Sequence, residues 1–117
     1  MSTTEFSERD LELRAVPSAH AMRQPPRTLD VIHAAARITG FTVEQLMSRD
    51  RHQSIAYARH VTMYVAKRVT GESLAEVSAV FGRDHTTSMR AIREMASLVG
   101  INAKASALAK QIEKEFA

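Results

Sequence analysis

The sequence predicts an all-α fold, a helical bundle, on three observations. Apolar residues recur every three or four positions in several separate stretches, as Ala58, Val61, Val65 and Val69 do, which is the period of one helix face. Ser73 with Glu76, and Thr42 with Gln45, stand at the capping-box spacing just ahead of such stretches. Gly40, Gly82 and Gly100 follow them, as glycine commonly does just past a helix.

A chain of 117 residues fits one domain with a tail. The expected division is a flexible N-terminal arm over residues 1–27 and a helical domain over 28–117. Within the arm, residues 1–16 space Phe6, Leu11 and Leu13 only loosely, enough for a short helix. Pro17 and the Pro25-Pro26 pair interrupt anything longer. Arg23 and Arg27 flank the prolines and are read as solvated, with a partner contact as the alternative.

Thr28 is expected to cap a helix through Thr39, with Leu29, Val31, Ile32 and Ala36 inward and Gly40 at its end. His33 on that helix is read as a half-buried structural histidine, since no second histidine or acid stands at metal-binding spacing near it. Thr42 opens a short helix that buries Val43, Leu46 and Met47. A polar loop over residues 48–54 follows, carrying Arg49 and Arg51. The longest helix is expected over about 54–70, with Ala58, Val61, Val65 and Val69 as its buried stripe. Arg59, Met63 and Lys67 step by four on another face. Arg59 and Lys67 then lie roughly 12 Å apart along the axis, at about 1.5 Å per residue. That separation suits two phosphates along a groove wall; a solvated face is the alternative.

Ser73 opens a two-turn helix, apolar at Leu74, Val77, Val80 and Phe81 and ended by Gly82. Asp84 can cap the next helix, whose buried side is marked by Ile92, Met95 and Val99 and which Gly100 is expected to break. A short helix, a tight turn and a longer helix form the grammar of a helix-turn-helix. Asn102 can cap a last helix with Ala105, Leu108, Ile112 and Phe116 apolar. It is expected to pack back on the domain, with self-association or a protein partner as the alternative use.

The second helix of the pair opens with Arg83, Asp84, His85, Thr86 and Thr87. In a helix-turn-helix this is the part that meets base edges in the major groove. Arginine can bind guanine through two contacts, aspartate can accept from the cytosine amino group, and threonine offers a hydroxyl and a methyl. Arg90 and Arg93 follow where phosphates could be reached. The same residues also fit a generic helical pair, with Asp84 as a cap and the arginines solvated. Pattern alone leaves both open.

Charge favours the first reading. The net charge is +3, and residues 49–93 alone hold eight bases against four acids, while the other segments are neutral or slightly acidic. A localised excess of that kind is the footprint of a polyanion partner. With no cysteine there is no disulfide, thiol nucleophile or zinc–thiolate site. Four acids in the first fifteen residues do not resemble a signal peptide, and no apolar run approaches a membrane span. A cytoplasmic, nucleoid-associated location without membrane contact is the expectation. The five histidines are scattered, and no triad or paired-carboxylate arrangement stands out, so an enzyme is not expected. Nor is a metal or cofactor.

The stretch FGRDHTTSMRAIREM, and above all Phe81, Gly82, Arg83, Asp84, His85, Thr86 and Thr87, resembles the C-terminal DNA-binding domain of the bacterial chromosomal replication initiator, DnaA. The similarity extends back through Ser73-Leu74 and Ala66-Lys67 to Ser54-Ile55-Ala56 and Arg59, covering roughly residues 28–98. The resemblance implies an all-helical, Trp-repressor-like bundle in which a long helix leads into the helix-turn-helix. It implies binding of double-stranded DNA at short A/T-rich DnaA boxes. Base contacts would come from Arg83, Asp84, His85, Thr86 and Thr87 in the major groove, and from Arg51 in the adjacent minor groove, where an arginine reads width and potential. Arg49, Arg59, Lys67 and Arg90 would contact phosphates.

The chain also departs from the family pattern. Only Gly82 stands where two glycines are usual, Asp50 and Gln53 occupy positions often basic, and Ala56-Tyr57-Ala58-Arg59 lacks the usual proline. None of the four glycines is followed by Lys-Ser or Lys-Thr, so no phosphate-cradling ATP loop is present. The resemblance therefore implies a stand-alone DNA-binding relative without ATPase activity, regulating replication initiation or transcription by occupancy. A protein-interaction module that keeps the fold without specific DNA reading is the alternative.

Overall fold

The computed structural model describes residues 25–117. Most of the expected arm, with its short helix and Arg23, lies outside the described residues. From Pro25 onward the element order is α1 (Thr28–Thr39), α2 (Val43–Met47), α3 (Gln53–Thr70), α4 (Leu74–Phe81), α5 (His85–Ile101) and α6 (Ala103–Glu113), closed by a short 3-10 turn (Lys114–Phe116). Among the described residues there is no strand, and no helix is long and apolar enough to cross a membrane.

The bundle is built around α3, which packs against all five other helices. Central placement explains its burial pattern. Ala58, Val61 and Val65 are inside as their spacing predicts, but Ile55, Arg59, Thr62, Met63 and Ala66 are buried as well. Of the expected outer row, only Lys67 faces solvent. The remaining core comes from Val31, Ile32 and Ala35 of α1, Leu46 of α2, Val77 and Phe81 of α4, Ala91 and Met95 of α5, and Ala105 and Ile112 of α6.

Helix ends follow side-chain chemistry. The Thr42–Gln45 and Ser73–Glu76 boxes form in full, each with two bonds of 2.8 to 3.1 Å. Asn102 accepts from the Ala105 amide at 2.9 Å and starts α6. The first helix differs from expectation. Thr28 is not its cap but its first helical residue, wholly buried, and both its amide and its hydroxyl donate to Glu72 Oε1, at 2.9 and 2.6 Å. A carboxylate at a helix N-terminus satisfies amides that have no helical partner. Glu72 lies 44 positions away in sequence, so no local pattern announces this contact, and the buried residues of α1 are Thr28, Val31, Ile32, Ala34 and Ala35. Leu29, expected inward, and His33, expected half-buried, are both exposed.

Those bonds, with Arg27 adding a 2.8 Å ion pair, hold the Glu72 carboxyl below its ordinary pKa of 4.5. A depressed carboxylate pKa stabilises the fold above about 4.5 and ceases to do so as pH falls through the lowered value. Glu72→Gln should therefore be less stable than the parent at neutral pH. The gap should narrow as denaturation is repeated at successively lower pH below 4.5. A gap that stays constant down to acid pH would remove Glu72 as the charged cap.

Gly100 does not break the chain. The fifth helix runs through it to Ile101, since a helical glycine costs only about 1 kcal/mol relative to alanine and the stop is set by the Asn102 cap. The last helix buries Ala105, Ala109 and Ile112 against α1, α3 and α5. Ion pairs Arg68–Glu113 and Arg37–Glu115, at 2.8 and 2.7 Å, fasten its end. The apolar side considered as a partner surface is thus used within the chain's own fold.

Candidate nucleic-acid interface

The α4–turn–α5 unit forms from short-range rules. Gly82 sits in the left-handed region at φ 65, closing α4. Its amide bonds to Ala79 O and the Arg83 amide to Ser78 O, the paired bonds of a Schellman ending. An added Cβ at Gly82 would meet nothing within 4 Å, so the cost of Gly82→Ala is backbone strain alone. That substitution should lower stability by about 1 kcal/mol in a urea titration. Gly82→Asn should cost less, because asparagine tolerates the left-handed region. Equal losses for both would point to side-chain crowding instead.

Asp84 Oδ1 accepts from the Thr87 amide at 2.7 Å, which caps α5 and holds the Asp84 carboxyl below its usual pKa. The buried side of α5 is Ser88, Ala91 and Met95, with Ile92 and Val99 half-buried beside it. Asp84, His85, Thr86 and Thr87, one turn back, are all exposed, as is Arg90. Met89 also faces out, 37% exposed. It was not singled out from sequence, although its position out of phase with the buried stripe is a readable signal.

A cleft of about 540 Å³ opens between the 48–52 loop, α3 and the start of α5. It gathers Arg49, Arg51, Arg59, Arg83, Asp84 and Thr87, with His60 at its wall. Six of the ten residues singled out by sequence thus converge on one concave surface. Lys67 lies elsewhere, beside Leu74, Met89, Ile92, Arg93 and Ala96 along a second, largely apolar groove of about 310 Å³.

The arginines divide into two kinds. Arg51 is exposed. Arg59, expected at phosphate, is only 4% exposed. Its Nε donates to Leu46 O at 2.9 Å, and its Nη2 donates to Asp50 O at 3.0 Å and Gln45 O at 3.3 Å. Two of these carbonyls lie at the end of the five-residue α2 and the third in the loop after it, where helical partners run out, and a guanidinium fork fits several at once. Arg59, expected at phosphate, thus spends its Nε and Nη2 donors on carbonyls within the protein. Arg83 is half-buried and spends two N–H groups inside the protein, on Phe81 O at 2.9 Å and Ser48 O at 2.6 Å. Arg49 donates to Gly82 O at 3.1 Å. Burial, with like charge close by, lowers the pKa of both Arg59 and Arg83. Burial, then Arg59, also lowers that of His60, which favours its neutral form. Two carboxylates, Asp50 and Asp84, also line the cleft, bonded to His52 and Thr87, so four arginines stand against two acids. The cleft therefore keeps a surplus of positive charge.

A short helix, a glycine turn and a longer helix with a solvent-facing polar first turn, all backed by a long central helix, define a helix-turn-helix protein. The model of the bacterial DnaA protein helix-turn-helix matches residues 29–95, and the chain belongs to that family. It is 38% identical over 88 residues to the chromosomal replication initiator protein DnaA of Brucella abortus biovar 1 (strain 9-941), covering 74% of this chain and 17% of that protein. Against the DnaA of Rhodopseudomonas palustris (strain BisB18) the identity is 34% over 115 residues, 95% of this chain and 22% of the relative. A crystal structure of a DNA replication initiation factor superposes with a TM-score of 0.66 at 28% identity, covering 77% of this chain and 29% of that one. The chain spans about a fifth of the length of these curated relatives.

Proposed function

We propose that the chain binds double-stranded DNA at A/T-rich, DnaA-box-like sites and acts on replication initiation or transcription by occupying them, without hydrolysing ATP. The observation that carries this is the solvent-facing turn Asp84, His85, Thr86 and Thr87 beside a cleft whose four arginines outnumber its two carboxylates, Asp50 and Asp84. The exposed turn is suited to base edges in the major groove. Arg51, exposed at the cleft, is suited to the neighbouring minor groove. Met89 can meet a thymine methyl, and Lys67, Arg90 and Arg49 can meet phosphates. Such binding belongs at the nucleoid.

Anisotropy titrations of labelled duplexes, with and without a box, over a range of salt concentrations test this. The expected result is a preference for the box, with affinity falling steeply as salt rises. Lys67→Ala should weaken all duplexes alike and reduce the salt slope by about 1. No preference, or no salt dependence, would overturn the proposal. The second reading, a protein-interaction module, is supported by the apolar groove beside Met89 and Ile92. It predicts no duplex binding even at low salt.

A further inference from the structure

The loop at 48–52 and the turn at 82–84 belong to different parts of the chain, yet each sends an arginine to a backbone carbonyl of the other. Arg49 Nη2 donates to Gly82 O, 33 positions away, at 3.1 Å. Arg83 Nη2 donates to Ser48 O, 35 positions away, at 2.6 Å, while its Nη1 holds Phe81 O at the end of α4. Among the described residues these two are the hydrogen bonds that cross from loop to turn. Beneath them, Arg59 fixes Asp50 O from α3.

We infer that this reciprocal arginine clasp determines sequence specificity by setting the spacing and tilt between Arg51 and the recognition turn, with Arg49 and Arg83 as positioning residues. The inference rests on the DNA-binding reading above. Two elements that address adjoining grooves of one duplex must be held to within about 0.5 Å of their productive geometry. The 48–52 loop lies outside the regular helices, and left untied it would be ordered only on binding, at an entropic cost. Charge-assisted bonds to carbonyls are strong enough to hold it. The choice of acceptor matters. A carbonyl, unlike a carboxylate, leaves the guanidinium charge uncompensated, so the same side chains fasten the loop and keep the cleft attractive to phosphate.

Two measurements test the clasp. In the DNA-free protein, Arg83→Gln should speed amide hydrogen exchange across residues 48–52 at least tenfold, and Arg49→Gln should do so across 82–87. Unchanged exchange in either variant overturns the clasp. Binding is then measured against duplexes that each carry one altered base pair, with Arg51→Ala marking the positions that Arg51 reads. Arg83→Gln should relax preference at those same positions. The Arg49→Gln/Arg83→Gln double variant should lose no more than either single one, as coupled residues do. Arg83→Lys, which keeps the charge without the fork, should retain affinity for non-specific duplex while losing preference. Loss confined to positions that Arg51 does not read, additive with Arg49→Gln, is the pattern of a direct base contact and overturns the inference. A parent protein with no sequence preference overturns the DNA reading and the specificity role together. Hydrogen exchange alone would still show whether loop and turn are fastened.

Discussion

Arg59→Ala will lower the stability of the folded chain by about 3 kcal/mol, because it deletes three charge-assisted bonds and a buried aliphatic stem. For a domain of this size that corresponds to a fall in melting temperature of roughly 15 °C. Arg59→Lys should recover little, since an ammonium cannot span three carbonyls that a planar fork reaches from one position. The same variant separates the two roles considered for this residue. A phosphate contact would change the salt dependence of DNA binding by about one unit of slope and leave the melt alone. The hydrogen bonds in the structure predict the opposite: a large change in the melt and an unchanged salt slope at temperatures where the variant is folded. Thermal denaturation followed by circular dichroism, paired with salt titration of duplex binding, checks both. A melt within a degree or two of the parent would mean that those carbonyls are satisfied without the guanidinium.

The other large effect is expected at the recognition turn. His85→Ala combined with Thr86→Ala should cut discrimination between box-containing and scrambled duplexes by roughly a hundredfold, while stability stays within about 0.5 kcal/mol of the parent. Both side chains are exposed, so their removal opens no cavity. Each well-placed base contact contributes about 1–3 kcal/mol of discrimination, so two of them account for roughly a hundredfold preference or more. Non-specific binding should persist, because its source is the arginine surplus of the cleft and not the turn. A double variant that selected the box-containing duplex as strongly as the parent would place the reading elsewhere on the surface.

How much of this was legible in the sequence depended on the range of the interaction involved. Capping at Thr42, Ser73, Asp84 and Asn102 was readable because each partner stands three residues away. The glycine ending at Gly82 was readable because the left-handed conformation is a local property. Thr28 misled because its hydrogen-bond acceptor, Glu72, is 44 positions distant. Gly100 misled because a glycine near the end of a helical pattern is weak evidence beside a true cap two residues later. His33, read as half-buried, is exposed, because the face it shares with Leu29 turns to solvent in the packed bundle.

The site divided in the same way. Chain order alone put five polar side chains into one turn, and local capping left four of them facing solvent. The Arg83, Asp84, His85, Thr86, Thr87 motif, the positive segment around it and the family resemblance could all be read before any coordinates. Sequence could not tell one arginine from another. Arg49, Arg51, Arg59 and Arg83 carry the same charge and stand in the same basic segment. One is buried in the core, two reach across the cleft, and Arg51 is free to meet a ligand. That sorting depends on backbone carbonyls at Gln45, Leu46, Ser48, Asp50 and Gly82, which every residue type carries alike and no residue name announces. The sequence by itself determined the helices, those ends that are capped from three residues away and the chemistry of the recognition turn, because these are settled within a few residues. Only the tertiary structure decided which cations are structural and which remain available, because that requires knowing which unpaired carbonyls the fold brings within 3 Å or so of each guanidinium.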